Sequence, residues 1–246
     1  MPSAERDALT DAFCKGRTEL VAYATRMVAR PDVAEELVQQ TALRMLEGAR
    51  MSVDESSQRA WLFRVLTNLC IDHLRRHATS REGSLSTARE RAIADAEFVL
   101  ASKALVRSPE MRAAAREHLV ACFSCVLRNV SPQQAASLLL KDVYDFSVDE
   151  AAHMLGATFG QVKNWLQSGR ATMAQQYAGN CGLVSEGAAC VQCTEVDTYF
   201  EAGQGSPLDG TAKDLDARLH ILREDRRKPL GPWHARLMQI VDDILT

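Results

Sequence analysis

"FSVDEAAHMLGATFGQVKNWLQSGRATMAQ", residues 146–175, is the stretch on which the reading of this chain turns. Ser147 and Glu150 stand three residues apart at its start. At that spacing a hydroxyl caps the third helical amide while the carboxylate reaches back to the cap's own N–H. Thr158 and Gln161 repeat the device. Between them Leu155-Gly156-Ala157 ends the first helix in a glycine turn. Two short capped helices joined in this way predict a helix-turn-helix. Ala151, Ala152 and Leu155 are expected to pack on Val162 and Leu166, holding the two helices at a fixed angle. Thr158, Gln161, Lys163, Asn164, Gln167 and Arg170 are then left facing outward. Asn and Gln can pair with adenine edges, and Lys or Arg with guanine or phosphate. Capped helix pairs also occur in ordinary bundles, so the coincidence of caps, glycine and outward polar set carries the DNA-reading expectation.

Working outward, strand signals are nearly absent and helix punctuation is frequent, so the chain reads as all-α. Upstream, "NVSP" offers Ser131 as a cap and Pro132 at the first helical position. A first helix is predicted from Ser3 to Val28, stopped by "RPD" at 30–32. Asp32 with Glu35 has capping-box spacing and opens a second helix through Glu47, with Gly48 at its end. A third helix covers Ser57 to His77. On it Phe63, Leu66, Cys70 and Leu74 share an apolar face, and Arg64, Asn68, Asp72 and Arg75 a neighbouring polar one, with Arg76 alongside. Residues 78–111 are polar and weakly periodic and read as a linker. The tail carries a loop at 202–212 and two expected helices, 213–226 and 233–245. The second has an apolar stripe of Trp233, Leu237, Ile240, Val241 and Ile244, which needs a covering surface.

Composition narrows little. The 246 residues carry a net charge of −3, and that mild acidity leaves room for local basic faces. No apolar run approaches the roughly 20 residues of a membrane span. The start, "MPSAERDALTDAF", is charged and lacks an apolar signal core. A cytoplasmic chain is therefore expected, with reduced thiols. The absence of a P-loop, a G-x-S-x-G and an H-E-x-x-H leaves nucleotide-cleaving and zinc-hydrolase readings without residues, so no enzymatic activity is expected.

Taken together, these segments resemble a bacterial sigma factor of the extracytoplasmic-function group, over residues 10 to 178. "DVAEELVQQTALRML" (32–46) is similar to the helix with which such factors grip the clamp of core RNA polymerase. That resemblance implies polymerase contacts at Glu35, Gln39, Gln40 and Arg44. "RAWLFRVLTNLCIDHLRR" (59–76) is similar to the helix that binds the promoter −10 element. It implies DNA contacts at Phe63, Arg64, Asn68, Asp72, Arg75 and Arg76. "SPQQAASLLLKDVYDFSVDEAAHMLGATFGQVKNWLQSGRATM" is similar to the −35-binding domain. The implied layout is a −10 module at 1–77, a linker at 78–111, a helix-turn-helix −35 module at 112–178 and a C-terminal extension at 179–246. The implied partners are core polymerase, promoter DNA and, in some relatives, an anti-sigma protein. In the recognition helix many relatives carry Arg or His where this chain has Trp165, Gln167 and Ser168, so promoter preference does not transfer. Trp165 is expected in the core.

The extension adds "CGLVSEGAACVQC" (181–193). Cys190 and Cys193 have the C-x2-C spacing at which two thiolates share a zinc ion, and Cys181 supplies a third soft ligand. A fourth ligand could come from Cys122 or Cys125, or from His220 or His234. Cys122 and Cys125 lie i, i+3 on an expected helix, where core packing is the default. Zinc or copper binding, a thiol switch and plain packing stay open for the tail cysteines. The alternative to a polymerase factor is a stand-alone helix-turn-helix regulator with a cysteine sensor, which would bind palindromic half-sites as a dimer. A thiol oxidoreductase lacks the βαβ context usual for its motif.

Overall fold

The computed structural model describes residues 3–47, 55–77, 119–120, 122–124, 126–180 and 215–228, with 94 and 96. The described residues are helical or in turns, with no strand among them. In chain order the helices are α1 (Ser3–Val28), α2 (Pro31–Leu46), α3 (Glu55–Arg76), α4 (Pro132–Leu138), α5 (Val148–Leu155), α6 (Phe159–Asn180) and α7 (Leu215–Glu224). A π-helical turn, Leu139–Val143, continues α4.

The chain gathers into two compact units. The first contains Met1–Ala78, Ser131–Ser168 and Arg226–Pro229; the second contains Thr79–Val130, Gly169–Asp225 and Leu230–Thr246. This grouping cuts across the chain-order layout expected from sequence, because parts of both expected modules share the first unit.

In the first unit α1, α2 and α3 pack on one another, and α3 also packs on α4 and α5. The predicted apolar face of α3 is the reason. Phe63, Leu66, Cys70 and Leu74 are all buried, with Leu20, Tyr23, Ala24 and Met27 of α1. Burying one such aromatic or aliphatic side chain stabilises by about 1.5–3 kcal/mol. The Tyr23 phenol meets the Thr67 hydroxyl at 2.8 Å, which satisfies both groups in an apolar setting. Burial pushes the Tyr23 and Cys70 groups up, so both are neutral.

The turn into α2 differs from expectation. Arg30 occupies the cap position and supplies no side-chain cap, while Pro31 starts the helix. Asp32 is already inside the first turn, and its carboxylate accepts from the Arg30 guanidinium at 2.7 and 3.2 Å. That hydrogen bond holds the Asp32 carboxyl below its usual range. Glu35 pairs with Arg17 instead of closing a capping box. Proline pre-sets the backbone that a capping side chain would otherwise organise, so the Asp32–Glu35 box is not formed.

The π turn matters more. The Tyr144 amide donates to the Leu139 carbonyl at 2.9 Å, and Asp145 adopts a left-handed φ of 62°. One extra residue in the turn and this reversal put both Tyr144 and Phe146 inside, although they are only two apart after a helix.

In the second unit Leu119, Phe123 and Leu127 are buried, as are Met173 and Tyr177 of α6 and Leu219 and Leu222 of α7. Arg218 of α7 is fully buried. Its guanidinium lies 4.0 Å from the centroid of the Tyr177 ring and 3.7 Å from the Cys122 sulfur. The first tail helix therefore forms within two residues of its expected bounds at each end. The second, with its stripe from Trp233 to Ile244, lies outside the described residues.

Candidate nucleic-acid interface

The helix-turn-helix is built as its spacing predicts. The Ser147 hydroxyl accepts from the Glu150 amide at 3.1 Å, and the Glu150 carboxylate accepts from the Ser147 amide at 2.7 Å. These bonds hold the Glu150 carboxyl below its ordinary value. Gly156 ends α5 at φ 61° and ψ 36°. Its amide bonds back to His153, and that of Ala157 to Ala152, which closes the last orphan carbonyls. No atom lies within 4 Å of where a Cβ on Gly156 would stand, so the backbone angle alone demands glycine. Ser131 caps α4 through a box with Gln134, whose amide nitrogen also donates to Ser168 on α6 at 2.8 Å.

On α6 the predicted outward set divides. Lys163, Asn164, Gln167 and Arg170 are exposed. At 100° per residue, Lys163, Gln167 and Arg170 share one stripe with Asn164 at its edge. Thr158 and Gln161 are exposed too, but both are engaged in the second capping box. The Gln161 side-chain oxygen accepts from the Thr158 amide at 2.8 Å, and the Thr158 hydroxyl accepts from the Gln161 amide at 3.2 Å. Two of the six candidates thus use their side-chain oxygens to start the helix. Trp165, expected in the core, is only half-buried.

Sequence reasoning passed over Phe159. It is 47% exposed at the start of α6, and the Lys163 ammonium stands 5.6 Å from its ring centroid. Phe159 falls on the Lys163–Gln167–Arg170 stripe, where an apolar ring can meet a thymine methyl. The signal was present in the i, i+4 spacing.

On α3 the polar stripe is where it was expected. Arg64, Asn68, Asp72, Arg75 and Arg76 are exposed. Arg76 donates to the Asp72 carbonyl at 3.1 Å, and Arg75 stands 4.0 Å from the Asp72 carboxylate. Arg64 meets the His153 ring of α5 at 3.3 Å. Phe63 is a correction: it is 1% exposed and sits inside the protein. Its place in the series Phe63, Leu66, Cys70, Leu74 turns the ring to the core. There it packs edge-on to Tyr23 and Phe146, 5.1 and 5.0 Å between centroids. Arg59, also unforeseen, lies against the Phe63 and Phe146 rings and donates to the Tyr144 carbonyl.

On α2 the four polymerase candidates differ. Gln39 and Arg44 are exposed, Glu35 is half-buried against Arg17, and Gln40 donates to Glu36 at 3.0 Å. Leu43 and Leu46, not foreseen, are 58% and 52% exposed and share the face of Gln39. Exposed leucines one helical turn apart are the apolar centre that a protein partner needs.

No group of three or more His, Cys, Asp or Glu side chains that could hold a metal occurs among the described residues. Cys125, Cys181, Cys190, Cys193 and His234 lie outside them. Cys122 faces Arg218, and exposed His220 stands 3.7 Å from Glu224. Among the described residues no helix is long and apolar enough to cross a membrane.

Comparison with known proteins agrees with this geometry. The family model of sigma-70 region 2 matches residues 16–79, and that of sigma-70 region 4 matches residues 121–173. The chain is 31% identical over 170 residues to the ECF RNA polymerase sigma factor SigG of Mycobacterium tuberculosis, covering 64% of this chain and 45% of that protein. It is 28% identical over 169 residues to ECF RNA polymerase sigma factor EcfG of Rhodopseudomonas palustris, covering 68% and 84% respectively. A shorter similarity, 36% over 78 residues, links it to the probable sigma factor SigI of Mycobacterium tuberculosis. The chain spans just under half the length of SigG. With region 2 built from α1–α3 and region 4 ending in a capped helix-turn-helix, the chain carries two domains of sigma-70 factors and is similar to factors of the extracytoplasmic-function group.

Proposed function

We propose that this protein is a transcription initiation factor that binds core RNA polymerase, selects promoters and performs no covalent catalysis. The observation that carries the reading is the exposed stripe Phe159, Lys163, Gln167 and Arg170, on a helix whose start is fixed by the Thr158–Gln161 box and which follows a capped helix ended by a left-handed glycine. Such a helix enters a major groove with its N-terminal residues on base edges. In this reading Arg64, Asn68, Arg75 and Arg76 track the backbone of the opened −10 strand, and α2 meets the polymerase through Gln39, Leu43, Arg44 and Leu46. Phosphate contacts position the factor, and base contacts from α6 supply selectivity.

The test is run-off transcription from source genomic DNA with core polymerase, with and without the protein, followed by sequencing of transcript starts. Starts sharing a −35 and a −10 element, absent without the protein, are expected. Palindromic binding in the absence of polymerase, with no new starts, would establish the stand-alone regulator instead. The extension, through Cys181, Cys190 and Cys193, is the proposed place of metal or thiol control. Metal content of the reduced chain beside a Cys190→Ser variant tests it. About one zinc or copper per chain, lost in the variant, is the supporting result.

A further inference from the structure

The extension returns to the first unit at one place, Arg226–Pro229, directly after α7. Neither family match reaches these residues. The Arg226 guanidinium bridges two carboxylates: Glu19 of α1 at 3.3 Å and Asp145, after the π turn, at 2.7 Å. Glu19 lies within the region 2 match and Asp145 within the region 4 match. The Arg226 carbonyl accepts from the Arg26 guanidinium at 3.1 Å and from the Tyr144 hydroxyl at 3.2 Å. The Lys228 carbonyl accepts from Arg26 at 3.5 Å. Arg26 is 2% exposed, and its guanidinium also donates to the Tyr144 hydroxyl at 3.0 Å. A buried guanidinium needs its acceptors. These two tail carbonyls are among them.

The segment Tyr144–Phe146, which the tail ties to α1, is also what covers the start of α3. Tyr144 and Phe146 close over Phe63 and Arg59, and Arg64 meets His153 just beyond. The tail binds Tyr144 and Asp145 while Tyr144 and Phe146 cover the start of α3, so both contacts run through one three-residue segment and share Tyr144.

We propose that residues 226–228 are an internal ligand of a pocket formed by Glu19, Arg26, Tyr144 and Asp145, and that they hold regions 2 and 4 together with the start of α3 covered and its Arg64 held on His153 instead of promoter DNA. The pocket recognises an arginine side chain flanked by main-chain carbonyls. Releasing the segment removes two carbonyl acceptors from buried Arg26 in the closed unit, whereas water replaces them once regions 2 and 4 part. The ligand thus favours the closed form by its differential contacts with the two states. This inference rests on the initiation-factor reading for its consequence and on geometry alone for the latch.

The test uses the full chain with Arg226→Glu, and with Arg226→Lys, which keeps the positive charge between Glu19 and Asp145. Hydrogen exchange of peptides spanning 57–66 and 140–150 reads closure without polymerase, and run-off transcription reads the consequence. Loss of the charge-assisted contacts is expected to raise the open population about tenfold in Arg226→Glu, with faster exchange in both peptides. Arg226→Lys keeps most of the protection, and unchanged exchange in α2 shows the fold intact. Unchanged exchange in 57–66 and 140–150 overturns the latch. Faster exchange with transcription that fails to rise, where the parent chain is active, overturns the withholding of the start of α3. Faster exchange with no transcription from either chain supports the latch and removes the initiation-factor reading instead.

Discussion

Helices α3 and α6 carry much the same equipment: a phenylalanine near the start, a basic and amide-bearing stripe, and an apolar opposite face. They end in different situations. The start of α6 is organised by side chains at most three residues away, and Phe159 stays at the surface. The start of α3 is covered by residues more than eighty positions on, and Phe63 is walled in by Tyr23, Tyr144 and Phe146. A recognition helix fixed by local bonds can be presented whatever the rest of the chain does. A helix completed by distant aromatic rings can be covered or uncovered.

The same substitution in the two helices tests this contrast most sharply. Phe63→Ala empties a core position and is expected to cost about 3–5 kcal/mol of unfolding free energy, read by urea denaturation. A loss under half a kcal/mol would mean the aromatic cluster is not a core. Phe159→Ala, on an exposed ring, is expected to leave unfolding unchanged within about 0.5 kcal/mol. It should weaken holoenzyme binding to −35 duplex by about 1 kcal/mol, most at sites rich in thymine. Equal loss at every sequence would make the ring a spacer and not a reader.

Smaller effects probe the local bonds of the recognition module. Gly156→Ala meets no clash, so only the left-handed backbone opposes it, at about 1 kcal/mol. A cost near zero, by the same denaturation, would show that the turn relaxes. Smallest is the pH response of Glu150, whose folded carboxyl is held below its ordinary value by the Ser147 amide and hydroxyl. A depressed folded value adds stability that is present above the unfolded value and lost as pH falls through the folded one. Glu150→Gln keeps the cap geometry but removes the titration, so the fall in stability on acidification below about pH 4.5 should be shallower than in the parent. An identical fall in both would place the acid response elsewhere, with Asp32 and its Arg30 partner next in line.

Much of the site was legible because short-range patterns carry it. Ser147–Glu150 and Thr158–Gln161 each state a cap in two letters, Ser131 with Pro132 states a helix start, and Gly156 states a turn. The α3 faces followed from period alone, and the apolar series ought to have moved Phe63 off the DNA face. The Asp32–Glu35 box misled because the same spacing also fits a proline start, and Arg30 took the carboxylate. Leu43, Leu46 and Phe159 were readable as letters but became informative only once their exposure was known.

By itself the sequence determined most of the described helices and which stripe of each is polar, with the start of α2 the exception, since hydrogen bonds within four residues follow from spacing. Tertiary structure alone decided that Tyr144 and Phe146 cap Phe63, that Glu19 is buried between Arg59 and Arg226, and that the tail meets Asp145 across 81 positions. Such pairings depend on shape and charge matching between surfaces brought together at the cost of loop entropy, and no periodicity in the chain records that match.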